Sequence, residues 1–188
     1  MAAGRRSAAG APFGPQGLRY NPGVPRPPLR LVVSDLLREP GHRRSVDAAA
    51  PVDWALELSR VDPGTSLRAH LMLEGTVGGI VARGRVAVVA RHTCRRCLAE
   101  WSEPLYVDFL EVLSDDTEAE YRLHGDEADL EPPLRDAVLL ALPLRPICRP
   151  DCLGLCAVCG GDLNTGSCPG HDEAPGNPFA PLRDLLQP

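Results

Sequence analysis

Seven cysteines hold most of the chemical potential of this 188-residue chain, and they fall into two groups. Cys94 and Cys97 stand in "HTCRRCLAE", while Cys148, Cys152, Cys156, Cys159 and Cys168 stand in "CRPDCLGLCAVCGGDLNTGSC". Two cysteines separated by two residues can fold a tight turn that points both sulfurs at one ion. Zinc asks for four such nitrogen or sulfur ligands in a tetrahedron. Cys94/Cys97 and Cys156/Cys159 have this spacing. Gly160 follows the second pair and can take a positive φ, which lets backbone amides approach the thiolates. The first pair lacks that glycine; instead Arg95 and Arg96 place positive charge beside the sulfurs and favour their ionisation.

Seven cysteines fill one four-ligand site and leave three over, so a second site needs a histidine. His171, in "CPGH", lies three residues past Cys168, and His92, two residues before Cys94, competes with it. The allocation that keeps each pair whole gives Cys94, Cys97, Cys148 and Cys152 to one zinc and Cys156, Cys159, Cys168 and His171 to a second. The alternative is a single zinc with the remaining cysteines unligated. A redox dithiol of the C-x-x-C kind opens a helix within a β-α-β pattern, whereas "CRRC" joins two predicted strands. No run matches the ferredoxin spacings of iron–sulfur proteins.

Little else points to catalysis. The chain has no phosphate-binding glycine loop, no G-x-S-x-G and no H-E-x-x-H. An open catalytic zinc keeps three protein ligands and a water, and these clusters read as complete. The expectation is a non-enzyme. Arg83, Arg85, Arg91, Arg95 and Arg96 line one predicted strand and its knuckle, a basic stripe able to follow an RNA backbone or simply a solvated strand face. Every one of the 20 basic residues is Arg, against 25 acids, for a net charge of −5. That balance disfavours non-specific nucleic-acid binding by the whole chain but not by a local patch. The longest apolar run, "AVLLALPL", is far short of the roughly 18 residues that span a membrane. The basic N-terminus has no apolar core of a secretory signal. A reducing cytoplasm is therefore expected, where clustered cysteines are metal ligands or reactive thiols more often than disulfides.

The elements that must position these groups follow from patterning. Residues 1–28 carry four Arg and no acid among Gly, Pro and Ala, and read as a disordered basic tail. A short strand over Leu29–Val33 follows, with Ser34 placed to cap a helical turn. Leu67, Ala69, Leu71 and Leu73 alternate with polar residues in a strand, and Val86, Val88 and Ala90 do so in the next, with Gly84 a candidate bulge. Leu105, Val107, Phe109 and Glu111 form the inward face of another. Two strands around "CRRC" make an antiparallel hairpin with the thiols at its tip. Residues 114–131 hold eight carboxylates and one Arg, a solvated acidic loop. A mostly buried helix over 132–142 starts with prolines in its first turn and is ended by Pro143. The predicted class is α+β: a small antiparallel sheet or open barrel with one buried helix and a zinc-knuckle module. The core spans 29–147, the cysteine-rich module 148–172, and an amphipathic segment 173–188.

The stretches "CRRCL", "DLEPPLRDAVLLALPLRPICRPDCLGLCAVCGGDLN" and "NPFAPLRDLL" together resemble the YceD family, the large ribosomal RNA subunit accumulation proteins. The resemblance covers residues 29 to 188. It implies a bacterial cytoplasmic role in accumulation or processing of large-subunit ribosomal RNA, with that RNA or a large-subunit ribosomal protein as partner. Family members usually close the cluster with a nearby pair of cysteines after "DLN"; here Cys168 is followed by Pro169, Gly170 and His171. The competing reading is a zinc-dependent protein-interaction module or a thiol- and zinc-responsive regulator.

Overall fold

The computed structural model describes residues 29–171, so the basic tail and the C-terminal amphipathic segment lie outside the described residues. In chain order the elements are β1 (Arg30–Val32), α1 (Ser34–Arg38), β2 (Arg43–Pro51), β3 (Ser59–Val61), β4 (Ser66–Thr76), β5 (Gly79–Thr93), β6 (Glu100–Ser114), β7 (Tyr121–His124), β8 (Glu127–Asp129) and α2 (Glu131–Ala141). They build one curled open sheet in the order β1-β8-β7-β6-β5-β4-β2, with β3 added beside the far end of β5. Pairing is antiparallel except between β6 and β7. The molecule is mostly β, which corrects the α+β expectation: its two helices have five and eleven residues.

Alternation does the sorting. Leu67, Ala69, Leu71 and Leu73 of β4 are buried, as are Ile80, Ala82, Val86, Val88 and Ala90 of β5 and Phe109 and Leu113 of β6. These side chains fill the concave face, where Leu36 of α1 and Leu134 and Val138 of α2 close the core. β5 and β6 are fifteen residues each and pair along their full length, from Gly79↔Ser114 to Thr93↔Glu100. This long hairpin is the spine that carries Cys94 and Cys97 to one end of the sheet.

Several expectations are corrected. Gly84 is not a bulge: β4 and β6 pair with it one for one, opposite Leu71 and Phe109. A Cβ there would run into the His70 carbonyl, so glycine answers a close approach of β4 rather than an inserted residue. Ser34 makes no cap; Val33 holds that position, and Ser34 is the first helical residue. The first strand is Arg30–Val32, inside the predicted span. The acidic stretch 114–131 is not one loop. It holds the β7–β8 hairpin, whose inward Leu123 and Ala128 are buried while the carboxylates stay at the surface. α2 is shifted by one residue, with prolines in its first turn and Leu142 as C-cap. It buries one face only, since Leu140 is 87% exposed.

Two strands had no sequence expectation. β2 pairs with β4 over nine residues, from Arg43↔Glu74 to Pro51↔Ser66, and β3 pairs with β5 at Ser59↔His92 to Val61↔Ala90. "RRSVDAAAP" is alanine-rich with a single β-branched residue, so its conformation is set by the strand beside it rather than by local preference.

Candidate metal centres

Each C-x-x-C turn is held by the same three contacts from backbone amides. In the first, Cys94 N donates to the Ala99 carbonyl at 2.8 Å and Leu98 N to the Cys94 carbonyl at 2.9 Å, while Arg96 N points at Cys94 Sγ at 3.5 Å. In the second, Cys156 N donates to Gly161 O at 2.8 Å and Gly160 N to Cys156 O at 2.9 Å, with Val158 N 3.4 Å from Cys156 Sγ. The residue after each second cysteine sits at positive φ: Gly160 at 70° and Leu98 at 61°. Leu98 is the one non-glycine in that region among the described residues. A leucine held there costs on the order of 1–2 kcal/mol. The sequence lacks a glycine after "CRRC", yet the turn forms the same knuckle and carries the strain.

The chain then brings the remaining ligands in. After α2, Pro146 O accepts from Arg95 N at 3.0 Å, and Arg96 O accepts from Leu155 N at 3.0 Å. Arg96 Nη1 also donates to the Cys152 carbonyl at 2.7 Å. The knuckle is thereby clasped from both sides, and Cys94, Cys97, Cys148 and Cys152 meet with all four sulfurs within 4.8 Å of one another. Cys156, Cys159, Cys168 and His171 form a second group within the same limit. These are the groupings expected from spacing. His92 joins neither: it is buried, with Nδ1 3.0 Å from Ser59 Oγ and Nε2 3.3 Å from a Glu103 carboxylate oxygen.

The spacings suit zinc. Tetrahedral ligation with Zn–S near 2.3 Å sets sulfurs roughly 3.8 Å apart, and a sulfur and an imidazole nitrogen roughly 3.6 Å apart. Cys94–Cys152 is 3.9 Å, Cys97–Cys148 3.6 Å, Cys159–Cys168 3.8 Å, and Cys168 Sγ to His171 Nε2 3.4 Å. Both sets are full, with no ligand position left for a substrate water, which is the form of a structural site. The two differ in burial. Cys94 and Cys152 are buried, whereas Cys159 and His171 are exposed.

Protonation is uneven within each group. Burial opposes ionisation of Cys94, but the amides of Cys148, Cys97 and Arg96 aimed at its sulfur outweigh it and bring the thiol to about 6. The Cys159 and Val158 amides likewise hold Cys156 at about 6. Desolvation of its sulfur, then the thiols of Cys97, Cys94 and Cys152, push Cys148 up to about 12. One thiolate per cluster forms readily, whereas burial and neighbouring thiols raise Cys97, Cys148 and Cys168. A divalent cation removes that conflict by taking the place of the protons.

Asn164, in the "DLN" that follows the second knuckle, joins the two modules. Its Nδ2 lies 3.7 Å from Cys152 Sγ, and its Oδ1 accepts from Leu153 N at 2.8 Å and Arg149 Nη2 at 2.9 Å. Asp162 fixes it in turn, with Oδ1 accepting from Asn164 N at 2.9 Å and from Nδ2 at 2.6 Å. Leu163 N donates to Gly154 O at 3.0 Å, stitching the second loop to the first. Sequence reasoning assigned Asn164 no role; a polar amide between two cysteine pairs was the available signal.

The family model for the large ribosomal RNA subunit accumulation protein YceD matches residues 82–186, more than half of the chain and all eight clustered ligands. The chain belongs to the YceD family. It is 34% identical over 173 residues to an uncharacterized protein of Mycobacterium tuberculosis, covering 86% of this chain and 83% of that one. An uncharacterized protein of Mycobacterium leprae is 29% identical over 173 residues, 86% of this chain and 79% of its own. A maize protein named large ribosomal RNA subunit accumulation protein YCED homolog 1, chloroplastic, is 42% identical over 50 residues, 24% of this chain and 17% of that protein. No solved structure matches the chain. The YceD match begins within β5, so the long hairpin, α2 and both cysteine groups fall in it, while β1 to β4 precede it.

The arginine stripe is divided by the structure. Arg83, Arg85 and Arg91 do share one face of β5, because the pairing runs without a bulge. Each meets a carboxylate: Arg83 Glu74 at 3.5 Å, Arg85 Asp108 at 3.0 Å, and Arg91 Asp62 at 3.1 Å. Arg95 and Arg96 are exposed at the knuckle, and neither forms an ion pair among the described residues. Arg145, not singled out by sequence, is exposed beside Pro146, whose carbonyl holds the knuckle. Among the described residues no helix is long and apolar enough to cross a membrane.

Proposed function

We propose that this chain is a non-catalytic binding factor that supports accumulation or processing of large-subunit ribosomal RNA in the bacterial cytoplasm. The carrying observation is the YceD family match, which runs through the long hairpin and every clustered ligand. Two zinc ions would be held by the two quartets. The first would staple the β5–β6 tip to the segment after α2; the second would order the loop that follows. A zinc held by four thiolates carries net charge −2, which Arg95 and Arg96 offset locally. With Arg145 they form the cationic surface best placed to meet RNA phosphates, since the strand arginines are already paired.

The test is a sucrose-gradient profile, with ribosomal RNA quantified, from cells depleted of the protein. A selective shortage of large subunits and their RNA supports the reading, and a normal profile contradicts it. The exposure of Cys159 and His171 favours a second reading, a thiol- and zinc-responsive regulator. That reading requires reversible loss of one metal under mild oxidant, together with a normal gradient profile in the depleted cells.

A further inference from the structure

Among the described residues, β6 leaves one side of its backbone unpaired over most of its length. Its ladder with β5 decides which groups those are. The exchanging pairs run in step from Cys94 N donating to Ala99 O at one end to Asp115 N donating to Gly78 O at the other. Antiparallel strands alternate between pairs that exchange hydrogen bonds and pairs that do not. The odd-numbered residues of β6 therefore turn their N–H and C=O groups toward β5, and the even-numbered ones, Ser102 to Val112, turn theirs away. On that far side, among the described residues, β7 pairs with Leu113 and Ser114 alone. The amides of Tyr106, Asp108 and Leu110 have no backbone partner among the described residues. Pro104 falls on this side as well, where its missing donor costs the ladder nothing.

The side chains along this edge are those of a strand awaiting a neighbour. Tyr106 is 53% exposed and Leu110 66% on the outer face, and Leu105 and Val107 on the inner face are only partly buried. β6 carries Glu100, Glu103, Asp108 and Glu111 and no cation. We propose that this edge receives an added strand from a basic, extended segment of a protein partner. The inference rests on the ribosome-assembly reading in taking that partner to be a large-subunit ribosomal protein. Main-chain hydrogen bonds would supply the affinity, and the alternating side chains would select apolar residues opposite Tyr106 and Leu110 and a cation that shares Asp108 with Arg85, which lies 3.0 Å from it. The edge from Ser102 to Val112 is about 35 Å long at roughly 3.3 Å per residue. Charge decides among occupants: a second copy would set Glu103, Asp108 and Glu111 against the same three carboxylates, and RNA has the same sign of charge and no peptide ladder to offer.

The experiment places a photo-crosslinking benzoylphenylalanine at Tyr106 in the full, metal-loaded chain and adds proteins extracted from purified large subunits. The expected product is a crosslink to an Arg- or Lys-rich segment of one identified ribosomal protein. Two variants should each reduce it at least tenfold: Leu110→Pro, which removes an edge-facing amide without touching the β5 ladder, and Asp108→Lys, which reverses the charge and keeps every amide. The second keeps the test decisive if the first fails to fold. A crosslink to a second copy, to residues 1–28 or 173–188 of the same chain, or to ribosomal RNA overturns the proposal. So does a crosslink that neither variant weakens, or none at all. If the edge fails while depletion still lowers large-subunit RNA, the docking site is wrong and the assembly role stands.

Discussion

Replacing Asn164 should weaken the metal site to which it does not belong in sequence. The residue sits between Cys159 and Cys168, inside the second cysteine group, but its Nδ2 lies 3.7 Å from Cys152 Sγ of the first. Its Oδ1 holds Leu153 N at 2.8 Å and Arg149 at 2.9 Å, which fixes the backbone just after Cys152. Asn164→Ala removes these bonds without emptying a core position. Outer-shell changes of this kind cost roughly 10–100-fold in metal affinity, or about 1.4–2.7 kcal/mol. A hydrogen bond to a charged sulfur, worth about 1.5–3 kcal/mol, agrees with that range. The assay is zinc competition against a chromophoric chelator in a Cys156→Ser/Cys159→Ser background, where only the first quartet remains complete. Asn164→Ala should lower the first site's affinity by one to two decades. An unchanged first site, with loss confined to the second quartet in the otherwise unmodified chain, would refute the bridging role.

Other consequences are as direct. Metal analysis of the purified chain should give two zinc ions. Cys94→Ser/Cys97→Ser should remove one and lower Tm by on the order of 10 °C, because that site fastens the hairpin tip to the segment after α2; Cys156→Ser/Cys159→Ser should remove one with a clearly smaller shift. Glu111 faces inward on β6, and burial, then Glu120 and Asp136, raise its pKa above the ordinary 4.5. The folded state thus holds that proton more tightly than the unfolded chain, so the destabilisation is absent below pH 4.5 and grows as pH rises through the raised value. Glu111→Gln should therefore raise Tm at pH 7 and leave it unchanged at pH 4, read by thermal melts at both. Arg95→Ala/Arg145→Ala should lower association with large-subunit RNA several-fold with zinc content intact, whereas Arg83→Ala/Arg85→Ala should change it little; equal losses in both would shift the contact onto the strand.

What the sequence reveals depends on whether a residue's role is local. The C-x-x-C spacing fixes its own turn, and period-two patterning fixes β4, β5 and β6, since each strand's inward face is written in its own residues. β2 is different: Ala48, Ala49 and Ala50 state no preference, and their strand exists because β4 offers nine residues to pair with. The β7–β8 hairpin hides behind its carboxylates, which dominate the composition of 114–131 while Leu123, Ala128 and the following Leu130 are buried in the core. Leu98 shows the opposite case, a residue locally unsuited to its conformation and held there by the knuckle. The quartets were accessible from counting ligands. Asn164 and the neutralising partners of Arg83, Arg85 and Arg91 were not, because each joins residues that only the fold brings together.

The central claim is that a metal-stapled binding module supports large-subunit RNA. Its most direct test is complementation of depleted cells, with large- and small-subunit ribosomal RNA quantified across a sucrose gradient. The unmodified chain should restore the large-subunit RNA, and Cys94→Ser/Cys97→Ser, expressed to the same level, should leave it deficient. Full restoration by that variant, or no deficit on depletion, would contradict the account.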